Sequence, residues 1–317
     1  MSSTTRARPR IVISEFMDAP AVASLSDDFD VLYDAALVDR RGDLLQQVAS
    51  ADALIVRNRT QVDATLVDHG RRLRVVGRLG VGLDNIDTAA CRARGIDVIP
   101  ATGANALAVA EYVIAAAMLL LRGAYVSTHE VSGGRWPRNA LGNGRELAGK
   151  MLGLIGFGGI GRLTARLARS LGMRVIAYDA QLAPTSAVYA ESGVGPEPLD
   201  DLLRNADVVS LHVPLTPQTR NLIDAQRLAL MKDDAILINT ARGGVVDEAA
   251  VASALRAHKL GGAALDVFAV EPLAAGSPLA DCPNLLLTPH IAGVTRESNE
   301  RVSALIAQKV AASLTGA

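Results

Sequence analysis

Three polar residues in the second half of the sequence carry side chains that can bind an anion and move a proton. Arg242, Glu271 and His290 each follow a short apolar run that is typical of a buried strand. A histidine ring exchanges protons near neutral pH, a carboxylate stabilises its protonated form, and a guanidinium group forks onto carboxylates. Each residue alone is also compatible with a surface ion pair, a turn or an interdomain contact. Together, in this order, they favour acid–base chemistry beside an anionic group.

A glycine-rich turn in the middle of the chain has the spacing of a dinucleotide-binding loop. Gly156, Gly158 and Gly161 lie between an apolar strand and a helix, and Asp179 ends the next strand. The first glycine permits a sharp turn, the second lets a pyrophosphate approach, and the third allows close packing of helix and strand. Free N–H groups at the helix start favour phosphate. Asp179 is expected to bind ribose hydroxyls and repel a 2′-phosphate, which predicts NAD rather than NADP. The alternative is a turn without a ligand.

The composition excludes several classes of protein. The chain has 317 residues, enough for about two domains, and half of them are hydrophobic. Aromatic residues make up only 3% and the net charge is −1, so we expect neither nucleic-acid binding nor attraction to an anionic membrane. Cys91 and Cys282 are isolated, and the histidines lack metal-ligand spacing. We therefore expect no metal, and a disulfide only if the fold happens to bring these two cysteines together.

No segment has the properties of a leader or a membrane span. The first ten residues are followed by no apolar signal region, and the apolar stretch Tyr112–Leu121 is too short to cross a bilayer. The sequence therefore predicts a frayed N-terminus, a buried helix from Asn105 to Arg122 and a cytoplasmic protein.

Strand-like and helix-like patterns alternate along the chain, which predicts an α/β fold with parallel sheets covered by helices. The strand-like runs are Ile11–Phe16, Ala53–Arg57, Val75–Leu79, Val98–Pro100, Val208–Val213, Ala235–Asn239, Gly262–Val267 and Leu285–Leu287. The simplest arrangement has two doubly wound parallel-sheet domains with a cleft between them. One comprises residues 1–101 plus 292–317, including a closing helix Arg296–Leu314, and the other comprises residues 102–291.

The ordered set of motifs resembles the D-isomer-specific 2-hydroxyacid dehydrogenase family over nearly the whole chain. The segments that carry the resemblance are Gly80–Asp87, Asn105 with Val109–Glu111, the glycine loop, His212–Leu215, and those around Arg242, Glu271 and His290. The resemblance implies a flavodoxin-like substrate domain, a Rossmann NAD-binding domain and a homodimer formed through the helix after Asn105. Packing between the two domains is the alternative role for that helix.

The resemblance also implies roles for individual residues. Arg242, Glu271 and His290 become the catalytic triad, in which His290 exchanges a proton with the substrate oxygen and Arg242 binds the substrate carboxylate. Asp266 is expected near the nicotinamide amide. The implied cofactor-binding residues are Gly156, Gly158, Gly159, Ile160, Gly161, Asp179, His212, Val213, Pro214, Thr240, Ala241, Asp266, His290 and Gly293. The implied substrate-binding residues are Arg57, Arg59, Val81, Gly82, Arg242 and His290.

Several arginines favour a small-molecule substrate with a second anionic group. Arg57, Arg59, Arg78, Arg135 and Arg138 lie in loops or at strand ends, and guanidinium forks match phosphate and sulfonate, although some of them are expected to face solvent or acids. The candidates are 3-phosphoglycerate and 3-sulfolactate, with glycerate or hydroxypyruvate as the alternative. Because the chain ends just after the closing helix, the regulatory domain of long phosphoglycerate dehydrogenases is expected to be absent. The other class to weigh is an NAD-sensing, corepressor-like binding protein.

Overall fold

Short apolar runs form two all-parallel sheets in residues 8–316, the part of the chain that this computed structural model describes. The chain divides into two compact units. One contains the described residues up to Asn105 and those from Val294 onward, and the other spans Ala106–Gly293. The chain passes from one unit to the other a few residues after each predicted domain boundary. The predicted frayed N-terminus, residues 1–7, lies outside the described residues.

The first unit contains a five-stranded sheet. Its strands are β1 (Arg10–Ile13), β2 (Asp30–Tyr33), β3 (Ala53–Val56), β4 (Val75–Arg78) and β5 (Asp97–Pro100). They lie in the order β2-β1-β3-β4-β5, which is the flavodoxin-like arrangement. The direction of strand succession reverses between β1 and β3. Ligands of doubly wound sheets bind at such switch points, outside the carboxyl ends of the strands.

Five helices cover this sheet among the described residues. They are α1 (Ala19–Ser26), α2 (Arg41–Val48), α3 (Ala64–His69), α4 (Thr88–Ala93) and α13 (Arg296–Thr315), with a short 3-10 turn at 37–39. A capping box of Thr295 and Ser298 begins α13. This helix crosses β4 so closely that a Cβ on Gly77 would lie 2.8 Å from methyl groups of Ile306 and Val310. The last helix is therefore an integral layer of the first unit.

The second unit contains a seven-stranded sheet. Its strands are β6 (Met151–Ile155), β7 (Arg174–Tyr178), β8 (Gly195–Pro196), β9 (Val208–Leu211), β10 (Ile236–Asn239), β11 (Gly262–Leu265) and β12 (Leu285–Leu287). The order β12-β11-β10-β9-β6-β7-β8 is that of a Rossmann sheet extended by one strand. Its switch point lies between β6 and β9. All residues of β9, β10 and β11 are buried, as expected for parallel strands covered on both faces.

Eight helices belong to the second unit within the described residues. They are α5 (Ala106–Arg122), α6 (Ser127–Ser132), α7 (Arg138–Leu141), α8 (Gly159–Ser170), α9 (Ala187–Ser192), α10 (Leu199–Asn205), α11 (Ala225–Leu228) and α12 (Glu248–Arg256), with a 3-10 turn at 124–126. The predicted buried helix corresponds to α5. One face of α5 is buried, but Leu107, Met118 and Leu119 on its other side are about two-fifths exposed. That prediction was therefore right for only one face.

The prediction of two parallel-sheet α/β domains is confirmed, and the errors lie at strand ends and sheet edges. The first strand ends at Ile13, three residues before the predicted Phe16, because Ser14 and Glu15 begin a loop. The strands β2 and β8 were not predicted. No helix within residues 8–316 is both long enough and apolar enough to span a membrane.

Candidate active site

His290 and Glu271 form a hydrogen-bonded pair in the second unit. The Nδ1–H of His290 donates to Oε2 of Glu271 over 2.8 Å, and Oε1 of Glu271 accepts from the backbone N–H of Phe268 at 3.0 Å. Both side chains of the pair are about two-fifths exposed. With Nδ1 engaged by the carboxylate, Nε2 is the ring nitrogen available to a reacting group. The pair has the geometry of a base and its orienting acid.

A buried carboxylate fixes the loop that carries His290. Asp266, 1% exposed, follows β11 directly. Its Oδ1 accepts from the N–H of Ile291 at 2.8 Å and from the hydroxyl of Thr288 at 2.5 Å, while its Oδ2 accepts from the N–H of Ala292 at 2.8 Å. The hydroxyl of Tyr112 lies 2.7 Å from that of Thr288 and donates to it. Sequence reasoning missed this role of Asp266, although an acid directly after an apolar strand was its signal.

The backbone is strained at His290, in the loop that Asp266 holds. His290 has a φ of 56°, in the left-handed region that non-glycine residues seldom adopt. Its N–H donates to the carbonyl of Asp266 at 2.8 Å. Such a conformation persists only where surrounding contacts hold it, and it is common at functional sites.

Arg242 lies in the loop after the neighbouring strand β10. The amide of Asn239 closes that loop, since its nitrogen donates to the carbonyl of Arg242 and its oxygen accepts from the N–H of Ala241, both at 3.0 Å. A Cβ on Gly243 would lie 1.7 Å from the carbonyl oxygen of Phe268, in the loop that leads to Glu271. The structure thus places all three predicted catalytic residues in loops after adjacent strands β10, β11 and β12.

The glycine loop follows β6 and leads into α8. A Cβ on Gly156 (φ 96°) would lie 2.5 Å from the carbonyl oxygen of His212, and one on Gly161 would lie 2.4 Å from that of Gly156. A Cβ on Gly158 would meet no described protein atom within 4 Å. Packing within the chain therefore requires the first and third glycines but not Gly158.

The remaining predicted cofactor residues lie around this loop in the second unit. The carboxylate of Asp179 accepts from the N–H groups of Phe157 at 2.7 Å and Gln181 at 2.8 Å. His212 follows β9, with its Nε2 3.1 Å from the hydroxyl of Ser210. Burial lowers the pKa of His212 to about 4, so its ring stays neutral at physiological pH. Val213 and Pro214 follow in the same loop, and the carbonyl of Pro214 accepts from the hydroxyl of Thr219 at 2.6 Å.

These residues fit a bound dinucleotide. Gly158 is free of any internal packing demand, and the first-turn N–H groups of α8 at Gly159, Ile160 and Gly161 can bind phosphate. Thr240 adds a second observation. Its buried hydroxyl has no hydrogen-bond partner within the described part of the chain, so it can pair with a polar ligand group.

The predicted substrate residues of the first unit differ in how they are held. Arg57 donates to the side-chain oxygen of Asn299 at 2.8 Å, whereas Arg59 forms a salt bridge with Asp39 and is 60% exposed. Val81 is exposed, and Gly82 follows it in the loop after β4. Among residues 8–316, no cluster of three or more histidines, cysteines or acids could hold a metal ion.

In the second unit, the other predicted arginines lie at the surface. Arg135 lies 3.8 Å from the carboxylate of Glu130, and Arg138 begins the exposed helix α7.

The two sheets and the loops after β6, β10, β11 and β12 define a nucleotide-dependent oxidoreductase, and comparison with known proteins gives its family. A family model described as D-isomer specific 2-hydroxyacid dehydrogenase, NAD binding domain, matches residues 114–292. The chain belongs to the D-isomer-specific 2-hydroxyacid dehydrogenases and is an NAD-dependent enzyme.

Individual relatives support this membership. An (S)-sulfolactate dehydrogenase of Chromohalobacter salexigens is 56% identical, covering 92% of this chain and 94% of the relative. A D-3-phosphoglycerate dehydrogenase of Mycobacterium leprae is 39% identical over 97% of this chain, which spans only 57% of that relative's length. The crystal structure of the TT0316 protein of Thermus thermophilus matches with a TM-score of 0.88 at 35% identity, covering 97% of both chains.

Proposed function

We propose that this enzyme interconverts a D-configured 2-hydroxy acid carrying a second anionic group and the corresponding 2-oxo acid. The main support is the 2.8 Å hydrogen bond between His290 and Glu271, which lie in loops next to the loop of Arg242. (S)-Sulfolactate, which has the spatial arrangement of D-lactate, is the first candidate, supported by the 56% identity to a dehydrogenase of that name. 3-Phosphoglycerate is the second candidate, and glycerate or hydroxypyruvate is the alternative.

The proposed chemistry assigns one task to each member of the triad. When the hydroxy acid is oxidised, Nε2 of His290 accepts the hydroxyl proton, and Glu271 stabilises the positive ring through Nδ1. In the reverse direction, His290 returns that proton to the oxygen of the 2-oxo acid. Arg242 forks onto the substrate carboxylate and orients the reacting carbon. NAD, when bound, supplies the two-electron acceptor or donor at its nicotinamide ring.

The proposed division of labour follows the two units. The second unit holds NAD through the glycine loop, Asp179, the loop of His212–Pro214, Thr240 and Ala241, and the segment from Asp266 to Gly293. The first unit binds substrate through Val81, Gly82 and at least one of Arg57 and Arg59. Asp179 favours NAD over NADP because a carboxylate repels a 2′-phosphate.

We further propose a cytoplasmic homodimer that binds neither nucleic acid nor membrane. Support for the dimer comes from exposed apolar side chains of the second unit. Trp136 is 76% exposed, and Met118, Leu119 and Val131 are each more than two-fifths exposed. Light scattering after size exclusion tests the assembly, and a mass of one chain at micromolar concentration would exclude the dimer.

Reduction of NAD across a panel of hydroxy acids tests the proposed reaction. The panel pairs the D- and L-configured forms of sulfolactate, 3-phosphoglycerate, glycerate and lactate. We expect the highest kcat/KM with (S)-sulfolactate and none with its enantiomer. Equal rates with dianionic and monoanionic acids would refute the second-anion proposal. Absence of turnover with every acid, combined with tight NAD binding, would favour the corepressor-like class.

A further inference from the structure

A buried acid lies at the switch point of the first sheet. Glu15, 4% exposed, follows β1, and residues 57–60 follow β3, the strand on the other side of that switch point. A buried carboxylate is costly unless it is paired with hydrogen-bond donors or cations. Its partners therefore show what it is there to hold.

The carboxylate of Glu15 gathers four consecutive backbone N–H groups. Its Oε1 accepts from Arg57 at 2.8 Å and from Thr60 at 2.9 Å, while its Oε2 accepts from Asn58 at 3.3 Å and from Arg59 at 3.1 Å. Burial by itself raises the pKa of Glu15, but these donors outweigh it and the net pKa lies below the ordinary value. Glu15 is therefore ionised at neutral pH, and its charge organises the whole loop.

The carbonyl side of the same loop is also fixed. The amide nitrogen of Asn85 donates to the carbonyl of Thr60 at 2.7 Å, and the hydroxyls of Ser14 and Thr60 lie 2.9 Å apart. Asn85 and Thr60 are both buried. The loop is thus held from both sides, and its N–H groups are committed to Glu15. A ligand that contacts this loop must be recognised by its side chains.

Arg57 is a side chain of this loop whose position is defined by neighbouring residues. One of its Nη groups donates to Asn299 in α13 at 2.8 Å, and the guanidinium carbon lies 5.7 Å from the centroid of the Phe16 ring. Burial lowers the pKa of Arg57, and the charge of Glu15 opposes that shift. Within residues 8–316, Asn299 is the one hydrogen-bond acceptor of the Arg57 guanidinium, so the rest of its planar donor fork can bind a phosphate or sulfonate. Arg59, by contrast, is exposed and paired with Asp39.

We propose that Glu15 is the positioning residue of the substrate's second-anion site, and that Arg57, rather than Arg59, is the cation it aims. The inference rests on the proposed function, because it requires a dianionic substrate. Glu15 does not touch the substrate. It fixes the backbone from which the Arg57 side chain extends.

The test compares Glu15→Gln with Asp52→Asn in the full-length enzyme. Asp52 is also buried, accepts a backbone N–H from Arg10 and pairs with Arg72, but it precedes β3 at the opposite edge of the sheet. We expect Glu15→Gln to raise KM for (S)-sulfolactate about 10-fold, because an amide accepts through one oxygen only. The kcat and the KM for NAD should stay within about twofold of the starting enzyme, because the substitution leaves the triad and the glycine loop unchanged. Asp52→Asn should lower Tm without changing either KM.

Glu15→Asp separates positioning from folding. It keeps the charge but shortens the reach, so KM for (S)-sulfolactate should lie between those of the starting enzyme and Glu15→Gln. If Glu15→Gln fails to fold, this variant decides: an unchanged KM with a lowered Tm would reduce Glu15 to a structural residue. D-lactate, which lacks the second anion, should show no KM change in any of these variants.

Arg57→Ala and Arg59→Ala distinguish failure of the inference from failure of the proposed function. We expect Arg57→Ala to remove the preference for (S)-sulfolactate over D-lactate and to make Glu15→Gln silent in the double variant. Loss of the preference in Arg57→Ala, but not in Glu15→Gln or Glu15→Asp, would overturn the role of Glu15 alone. If Arg57→Ala keeps the preference, the proposed anion site itself is wrong. Loss of the preference only in Arg59→Ala would reverse the choice between the two arginines.

Discussion

The two sheets use their switch points in opposite ways. After β6, the glycine loop leaves the first-turn N–H groups of α8 available to a ligand, and Gly158 has no packing constraint from the chain. After β3, the four N–H groups of residues 57–60 turn onto Glu15, so the side chain of Arg57 is what remains for recognition. One switch point offers backbone and the other offers a guanidinium group.

This difference separates cofactor binding, which is the same for every substrate, from substrate recognition, which can change. A pyrophosphate approached by backbone needs glycine, whatever the substrate. A side chain mounted on a fixed loop can be exchanged without rebuilding the loop. The comparison therefore predicts that changes in the second unit alter turnover and NAD binding, whereas changes near Glu15 alter the choice of substrate.

Replacing His290 is the largest expected effect and the sharpest test of this division. His290→Ala should lower kcat about 1000-fold, because the proton of the substrate hydroxyl loses its acceptor. NAD binding, followed by isothermal titration, should survive. Near-normal turnover in this variant would refute the proton-transfer role of His290. The proposed role of the second unit would then be limited to cofactor binding.

Asp266→Asn tests the carboxylate that holds the His290 loop. The amide nitrogen cannot accept, so at least one of the three donors is left unpaired, at a cost of about 1–3 kcal/mol in stability. Displacement of the imidazole should lower kcat about 10- to 100-fold. Urea unfolding and steady-state kinetics measure both. Tyr112→Phe, which loses only the outer hydrogen bond to Thr288, is the matched control and should change kcat far less.

Asp179→Ala tests the proposed cofactor site of the second unit. Loss of a charged hydrogen-bond acceptor should weaken NAD binding about 10-fold and relax discrimination against NADP. The measurement is KM for both cofactors at saturating hydroxy acid. An unchanged NAD-to-NADP ratio would show that Asp179 serves only the N–H groups of Phe157 and Gln181.

The smallest expected effect is a difference in the acid stability of the two regions. Folding lowers the pKa of His212 from 6.5 to about 4, so its contribution is complete above pH 6.5 and is lost as pH falls toward 4. Unfolding free energy should drop by about 1 kcal/mol between pH 7.5 and 5.5. His212→Gln should abolish that drop. Glu15, whose pKa lies below 4.5, contributes above pH 4.5 and loses its contribution only below it.

The sequence predicted the buried strands and singled out the proposed triad because their signals are local. Continuous apolar runs identified β9 to β12, although the edge strand β12 is only partly buried. Glycine spacing identified the loop after β6. The edge strand β2 escaped prediction because its pattern is half exposed, and β8 because it is only two residues long.

The partners of Glu15 and Asp266 could not be predicted because they are distant in sequence. Glu15 binds residues 42 to 45 positions away, and Asp266 binds a loop 22 to 26 positions away. Both acids nevertheless follow an apolar strand within two residues, as Asp179 does after β7. An acid at that position, at the carboxyl end of a parallel strand, is a usable signal for an internal loop anchor.

The placement of α13 has a consequence for the order in which the two units can fold during synthesis. The five strands of the first unit are translated before the second unit, but the helix that covers Gly77 and carries Asn299 is translated after it. The entire second unit must therefore emerge before Arg57 acquires its Asn299 partner. Until then the first sheet exposes the apolar surface that Ile306 and Val310 later cover, so the Rossmann unit is expected to mature before the unit whose synthesis began first.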